Sequence, residues 1–162
     1  MSATAITPST RYFLPGTTKV IVVPTIANLA TGPTRAELDA GTDVSEEVAT
    51  INGWRITSEN VATPDLGKRF NKQVTGRLSA DDSSITFWAD LTGQDVRETL
   101  TLDLETHVVF LDGGDVPASP MDAYKVKVGS VGKVREIEGA GRLDIQFSIR
   151  DYAENLAVPA AV

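Results

Sequence analysis

Cysteine is absent from this chain of 162 residues, and histidine occurs once, at His107. The first absence excludes a disulfide framework, a zinc ribbon, an iron–sulfur site and a thiol nucleophile. The second excludes a multi-histidine metal site and the H-E-x-x-H pattern of zinc proteases. Cations are in short supply: 15 Lys and Arg stand against 22 Asp and Glu, for a net charge of −7. That balance argues against a protein that grips nucleic acid by neutralising phosphates. Long apolar runs are missing too. Residues 20–23 and 108–111 are the longest, far short of the ~20 that span a bilayer. The opening MSATAITPSTR has no basic stretch followed by an apolar run, so no secretory signal is expected.

Catalytic constellations are also lacking. His107 is followed by Val108 and Val109 and reads as a structural residue at a strand start rather than a general base. No G-x-S-x-G elbow is present to activate a serine. Gly129-Ser-Val-Gly132-Lys133 superficially matches a phosphate loop. That loop, however, needs four residues between its glycines and Ser or Thr after the lysine, so a turn between two strands is the better reading. Asp81-Asp82 and Asp112-Gly-Gly-Asp115 lack the spacing of a calcium loop, and each reads as a hairpin turn. Neither an enzyme nor a cofactor or metal site is expected.

What the chain has is β-forming residues. Val, Ile and Thr make up 44 of the 162. Leu143, Ile145, Phe147 and Ile149 alternate with polar neighbours, the pattern of a half-buried strand. Tyr124, Val126 and Val128 alternate with Lys125 and Lys127 in the same way, and Ile85, Phe87 and Ala89 with Thr86 and Trp88. Val74, Gly76 and Leu78 mark a further strand, as do Trp54 and Ile56 after Gly53. Residues 20–23 and 108–111 are apolar throughout and predict strands covered on both faces. Thr34 and Glu37 have capping-box spacing after Pro33, with Gly41 to end a short helix. Residues 92–95 open a second, with Val96 and Leu100 one turn apart. Trp54, Trp88 and Tyr124 lie within strand patterns and are expected in the core. The sum is a single mainly β domain over residues 1–162, a β-sandwich or open barrel with one α-helix packed on it. Residues 1–15 and 153–162 read as terminal arms. Residues 59–71 form a long loop containing Glu59, Pro64, Asp65, Lys68, Arg69 and Phe70, and loops of this length inside a compact domain are usually functional.

Charge is concentrated. Residues 81–122 hold ten carboxylates and one cation, Arg97. Asp81, Asp82, Asp112 and Asp115 are therefore candidates for an acidic surface, either solvated or facing an anion that must not stick.

The order and spacing of several stretches resemble the tail tube (major tail) proteins of long-tailed, non-contractile bacteriophages. They are Thr7-Pro-Ser-Thr-Arg-Tyr-Phe13 followed by a strand at 19–24, the helical turn at 34–38 and the strand at 51–60. Further along come 76–87 (strand, acidic turn, strand), the helix at 94–100, Val128-Gly-Ser-Val-Gly-Lys133, and the last strand and tail at 143–160. The resemblance implies the phage tail-tube fold and a structural protein of the virion tail, with no membrane association. It further implies hexameric rings with a continuous inner β-barrel, stacked around a tape-measure protein and assembled in the host cytoplasm. DNA would pass through without specific binding, and tail terminator and distal tail proteins would be neighbours. The 59–71 residues named above would make inter-ring and inter-subunit contacts, and Asp81, Asp82, Asp112 and Asp115 would face the bore or the outside. The inner tube of a contractile tail or secretion/injection system is the alternative; a β-sandwich surface-binding module is a more distant one.

Overall fold

The computed structural model describes Arg11, residues 14–90 and residues 95–161. In chain order it comprises β1 (Lys19–Val23), a 3₁₀ turn (Leu29–Thr31), α1 (Arg35–Asp39), β2 (Thr42–Asp43), a second 3₁₀ turn (Ser45–Glu47) and β3 (Val48–Asn52). There follow β4 (Ile56–Thr63), β5 (Lys72–Ala80), β6 (Ser83–Trp88), α2 (Asp95–Thr99), β7 (Glu105–Leu111), β8 (Pro120–Val134) and β9 (Arg142–Ala157). Seven strands form one antiparallel sheet in the order β2-β1-β7-β8-β9-β6-β3, and β4 and β5 form a separate two-stranded hairpin. The expected open barrel is found as a curled sheet, and the chain path shows the curl directly. β2 and β3 occupy opposite edges of the sheet, yet only residues 44–47 connect them. The five steps from Asp43 to Val48 reach at most about 18 Å, so the edges must approach one another across a narrow seam.

Alternation decides what lies inside. Val20, Val22, Val108, Phe110, Tyr124, Val126, Val128, Ile85, Phe87, Leu143, Ile145 and Phe147 point into one cluster, closed by Trp54 and by Val96 and Leu100 around α2. The intervening residues Ile21, Val23, Val109, Leu111, Met121 and Ala123 form a second cluster on the opposite face, covered by Leu38 of α1 and by Val158. Residues 20–23 and 108–111 are thus buried on both faces, as their unbroken apolarity predicts. The capping box forms: Thr34 accepts the amide of Glu37, and the Glu37 carboxylate accepts the amides of Thr34 and Ala27, each at 2.8 Å. These bonds hold the Glu37 carboxyl below its ordinary value.

Several expectations are corrected. Gly129 to Lys133 is not a turn but part of the 15-residue β8. Ser130 pairs with Gln146 and Gly132 with Asp144 beyond a bulge, so the strand runs on through both glycines. Residues 153–157 are not an arm, because they extend β9 and pair with the start of β8, and Val158 is buried behind them. Asp81-Asp82 is not a hairpin turn, since it links β5 to β6, which lie in different sheets; Asp112–Asp115 does begin a hairpin turn between β7 and β8. Trp54 lies outside the strands, between β3 and β4, with φ of 60°, although its side chain is buried as expected along with Tyr124. Trp88 is 44% exposed, because it stands on the face of β6 opposite Phe87. Two short α-helices form where the architecture called for one packed on the sheet. Residues 92–94, expected to open the second, lie outside the described residues. So does most of the expected N-terminal arm.

Candidate assembly surfaces

The most exposed feature is the β4–β5 hairpin. Residues 59–71 are only partly loop: Glu59 to Thr63 belong to β4, and the irregular tip is 64–71. Every residue of β4 after Ile56 is exposed, and in β5 only Gly76 is half-buried. Gly76 is needed there, since a Cβ would stand 2.3 Å from the carbonyl oxygen of Glu59. The register shift between Ser58 and Asn60 sets Gly76 and Arg77 of β5 opposite Glu59 alone, so Ile56, Leu78 and Ala80 share one face at the base, while Val61 and Val74 stand on the other face further out. Apolar side chains are thus exposed on both faces of the hairpin, Leu78 on one and Val61 with Val74 on the other. Only the base is covered, where Ile56, Leu78 and Ala80 border a shallow cleft with Ile149 and Tyr152 of β9.

The base is firmly held. The Trp54 ring lies 5.0 Å from Phe110 and 5.3 Å from both Tyr124 and Phe147. Its amide donates to the Ser83 hydroxyl at 3.0 Å, and its Nε1 donates to the Ser84 carbonyl at 3.3 Å. Arg55 pairs with Asp81 at 2.9 Å. The Tyr124 hydroxyl donates to Glu154 at 2.8 Å; burial and that carboxylate push its ionisation well above the ordinary tyrosine range.

The tip carries Pro64, Asp65, Lys68, Arg69 and Phe70, all exposed, with Phe70 at 77%. Lys72 reaches Asp65 at 3.6 Å. Among the described residues Lys68 and Arg69 make no ion pair. The structure therefore gathers the loop residues singled out in the sequence at one projecting point, with Glu59 set back on the stem.

The acidic candidates are not brought together. Asp81 and Asp82 precede β6, whose Ser83 lies across from Phe147, itself paired with Val128. Asp112 and Asp115 follow β7, whose Leu111 pairs with Met121. Seven positions of β8, about 23 Å at 3.3 Å per residue, separate the two sites along the strand. Two of the four are neutralised within the chain: Asp81 by Arg55, and Asp115 by a two-pronged contact with Arg35 at 2.6 and 2.8 Å. The Arg35 bonds hold the Asp115 carboxyl below its ordinary value, whereas burial and the nearby Asp122 push Asp112 up.

Two further surfaces lie outside the residues singled out by the sequence. The first is the bare face of β6, β9 and β8, where Ser84, Thr86, Gln146, Ser148, Lys125 and Lys127 stand opposite the core residues. Its signal was present, as the polar half of the alternation. The second is the seam, where β3 pairs with β6 on one side and, among the described residues, has no strand on the other. A groove of about 810 Å³ runs there between residues 14–20, residues 45–51 and Gly113-Gly114. No local pattern marks it, because it arises from two edges meeting around the curl.

No curated protein matches the chain in sequence. Solved structures match in fold. The SPP1 tail tube superposes with a TM-score of 0.62 at 11% identity, over 89% of this chain and 79% of that one. A chain of the anti-feeding prophage baseplate gives 0.55 at 10% identity, over 91% and 95%. A chain of the sheath–tube complex of the extracellular contractile injection system PVC gives 0.53 at 10%, over 87% and 90%. The family model described as phage tail tube protein matches residues 6–161, and the chain belongs to that family.

Proposed function

We propose that this chain is the repeating subunit of a phage tail shaft, forming hexameric rings that stack around a tape-measure protein and later conduct DNA. Its role is structural rather than catalytic. The observation that carries the reading is the hairpin: a folded body extends 17 strand residues that bury almost nothing of themselves. An isolated two-stranded hairpin is marginal in water, so such an element gains its stability from a neighbouring copy. Bare sheet edges serve the same end, as they are sites for pairing with another chain. Glu59, Pro64, Asp65, Lys68, Arg69 and Phe70 would make the contacts between subunits and rings.

The bare face of β6, β9 and β8 would line the bore: Ser84, Thr86, Gln146 and Ser148 are uncharged, Lys127 is paired with Asp103, and Trp88 at the end of β6 lies under Arg142, so few free cations remain to hold DNA by its phosphates. Asp81, Asp82, Asp112 and Asp115 lie at strand ends, so they would ring the channel mouths rather than line its wall. The fold shared with chains of the anti-feeding prophage and PVC assemblies favours one second reading, the inner tube of a contractile injection system. Immunogold labelling of virions with antibody to the chain tests both. Label along the whole shaft supports the tail-tube reading, label exposed only after sheath removal supports the second, and absence of label from tails refutes both.

A further inference from the structure

Residues 24–41, between β1 and β2, lie as a strap over the face of the sheet opposite Trp54. Ile26, Gly32, Pro33 and Leu38 are buried within it. Ile26 and Leu38 close the cluster of Ile21, Val23, Val109, Leu111 and Met121 beneath. That cluster and the Trp54 core are on opposite faces, so the strap can lift without opening the core. Its own ties converge on one carboxylate. Glu37 accepts the amides of Ala27 and Thr34, each at 2.8 Å, and the Thr34 hydroxyl at 3.0 Å. Arg35 adds the two-pronged contact with Asp115.

His107 is buried on this same face. It is 8% exposed, alternates with Val108 to stand beside Val109, and lies in register with Val23 of β1 and Lys125 of β8. The backbone of Val23 and Pro24 borders its ring. Of the charged groups that face it, α1 brings Glu37 and β8 brings Lys125; residues 24–34 contain none. Glu105 on its own strand is in register with Lys127, and Asp151 of β9 with Lys125. A proton on His107 therefore places a cation in a buried position, with Lys125 repelling it. Glu37 already accepts the three bonds that shape the strap. It either keeps them and leaves the cation uncompensated, or turns to the cation and gives them up. Both routes favour a lifted strap, in which water solvates the imidazolium. We infer that residues 24–41 form an acid-sensitive cover, opened by protonation of His107, which bares Ile21, Val109 and Leu111 while the Trp54 core stays closed. The cover is a property of the folded subunit and does not depend on the tube-subunit reading.

Hydrogen exchange read by mass spectrometry on the full chain at pH 7.5 and 5.5, corrected for intrinsic rates, tests the cover. A histidine with an ordinary pKa of about 6.5 in the open state and a lower one in the closed state raises opening by at most about tenfold over that range. The expected result is a several-fold loss of protection across residues 24–41 in acid, with residues 85–87 and 143–147 unchanged. His107→Gln should show no such loss. His107 is the only histidine, so its imidazole gives a single NMR titration, whose midpoint should coincide with that of the exchange loss; this second measurement stands if His107→Gln folds poorly. Unchanged or increased protection of residues 24–41 in acid would overturn the inference, as would an even loss across all strands. Loss that persists in His107→Gln, or that falls outside the imidazole titration, would also overturn it.

Discussion

A Cβ placed on Gly53 would stand 2.2 Å from the carbonyl oxygen of Asp82, and Gly53 itself has φ of 78°. Together these residues clamp the two chains entering the hairpin, with Trp54 next in line at φ of 60°. Gly53→Ala should therefore destabilise the fold by about 1–3 kcal/mol through backbone strain and the clash. Gly129→Ala should be nearly neutral, within about 0.5 kcal/mol, because its Cβ would sit 3.7 Å from the nearest atom of the partner strand. Thermal unfolding of both variants checks the contrast. A large loss at Gly129 would argue that the segment is a turn after all.

The two tryptophans should report opposite environments. Trp54 is 8% exposed and Trp88 44%, with Arg142 5.9 Å above the Trp88 ring. Trp88→Phe should leave blue-shifted emission that acrylamide quenches poorly, and Trp54→Phe should leave red-shifted emission that it quenches readily.

His107 gives stability a pH dependence near neutrality. It is buried, and burial, opposed by the Val23 and Pro24 backbone and by Glu37 and reinforced by Lys125, pushes its pKa below the ordinary value of 6.5. The unfolded chain therefore binds this proton more readily than the folded one. The stability is fully present above the unfolded pKa of about 6.5 and is lost as pH falls through it towards the folded value. Denaturant melts between pH 7.5 and 5 should show this decline, and His107→Gln should flatten it.

The hairpin should be dispensable for folding and necessary for assembly. Asn60 and Thr75 face one another in register. Excising residues 61–74 and joining that pair through an Asn-Gly turn should leave the melting temperature of the subunit almost unchanged, since the removed residues are exposed. The shortened chain should remain monomeric by sedimentation under conditions where the full chain assembles.

Where side chains alternate against a core, the sequence was readable. Leu143, Ile145 and Phe147 in β9, and Thr34 with Glu37 at α1, lie as their spacing predicts because local pattern and tertiary packing agree. The hairpin stem was readable in part, since Val74, Gly76 and Leu78 mark β5 and Ile56 marks the start of β4. Residues 59–63 have no core to face, so their polarity reads as loop, and only pairing with β5 makes them strand. Gly129 and Gly132 misled for a related reason, since glycine punctuates chains locally while a bulged strand between neighbours tolerates it. The seam was out of reach, because it depends on two edges separated by the whole width of the sheet. The projecting tip at residues 64–71 was marked by its length and composition, whereas the seam groove required coordinates.

Electron microscopy of the purified chain at rising concentration tests the central claim most directly. The account predicts hollow rings with six-fold symmetry that stack into tubes, with the β4–β5 hairpin crossing between copies. A chain that stays monomeric throughout, or associates only into closed dimers, would contradict it.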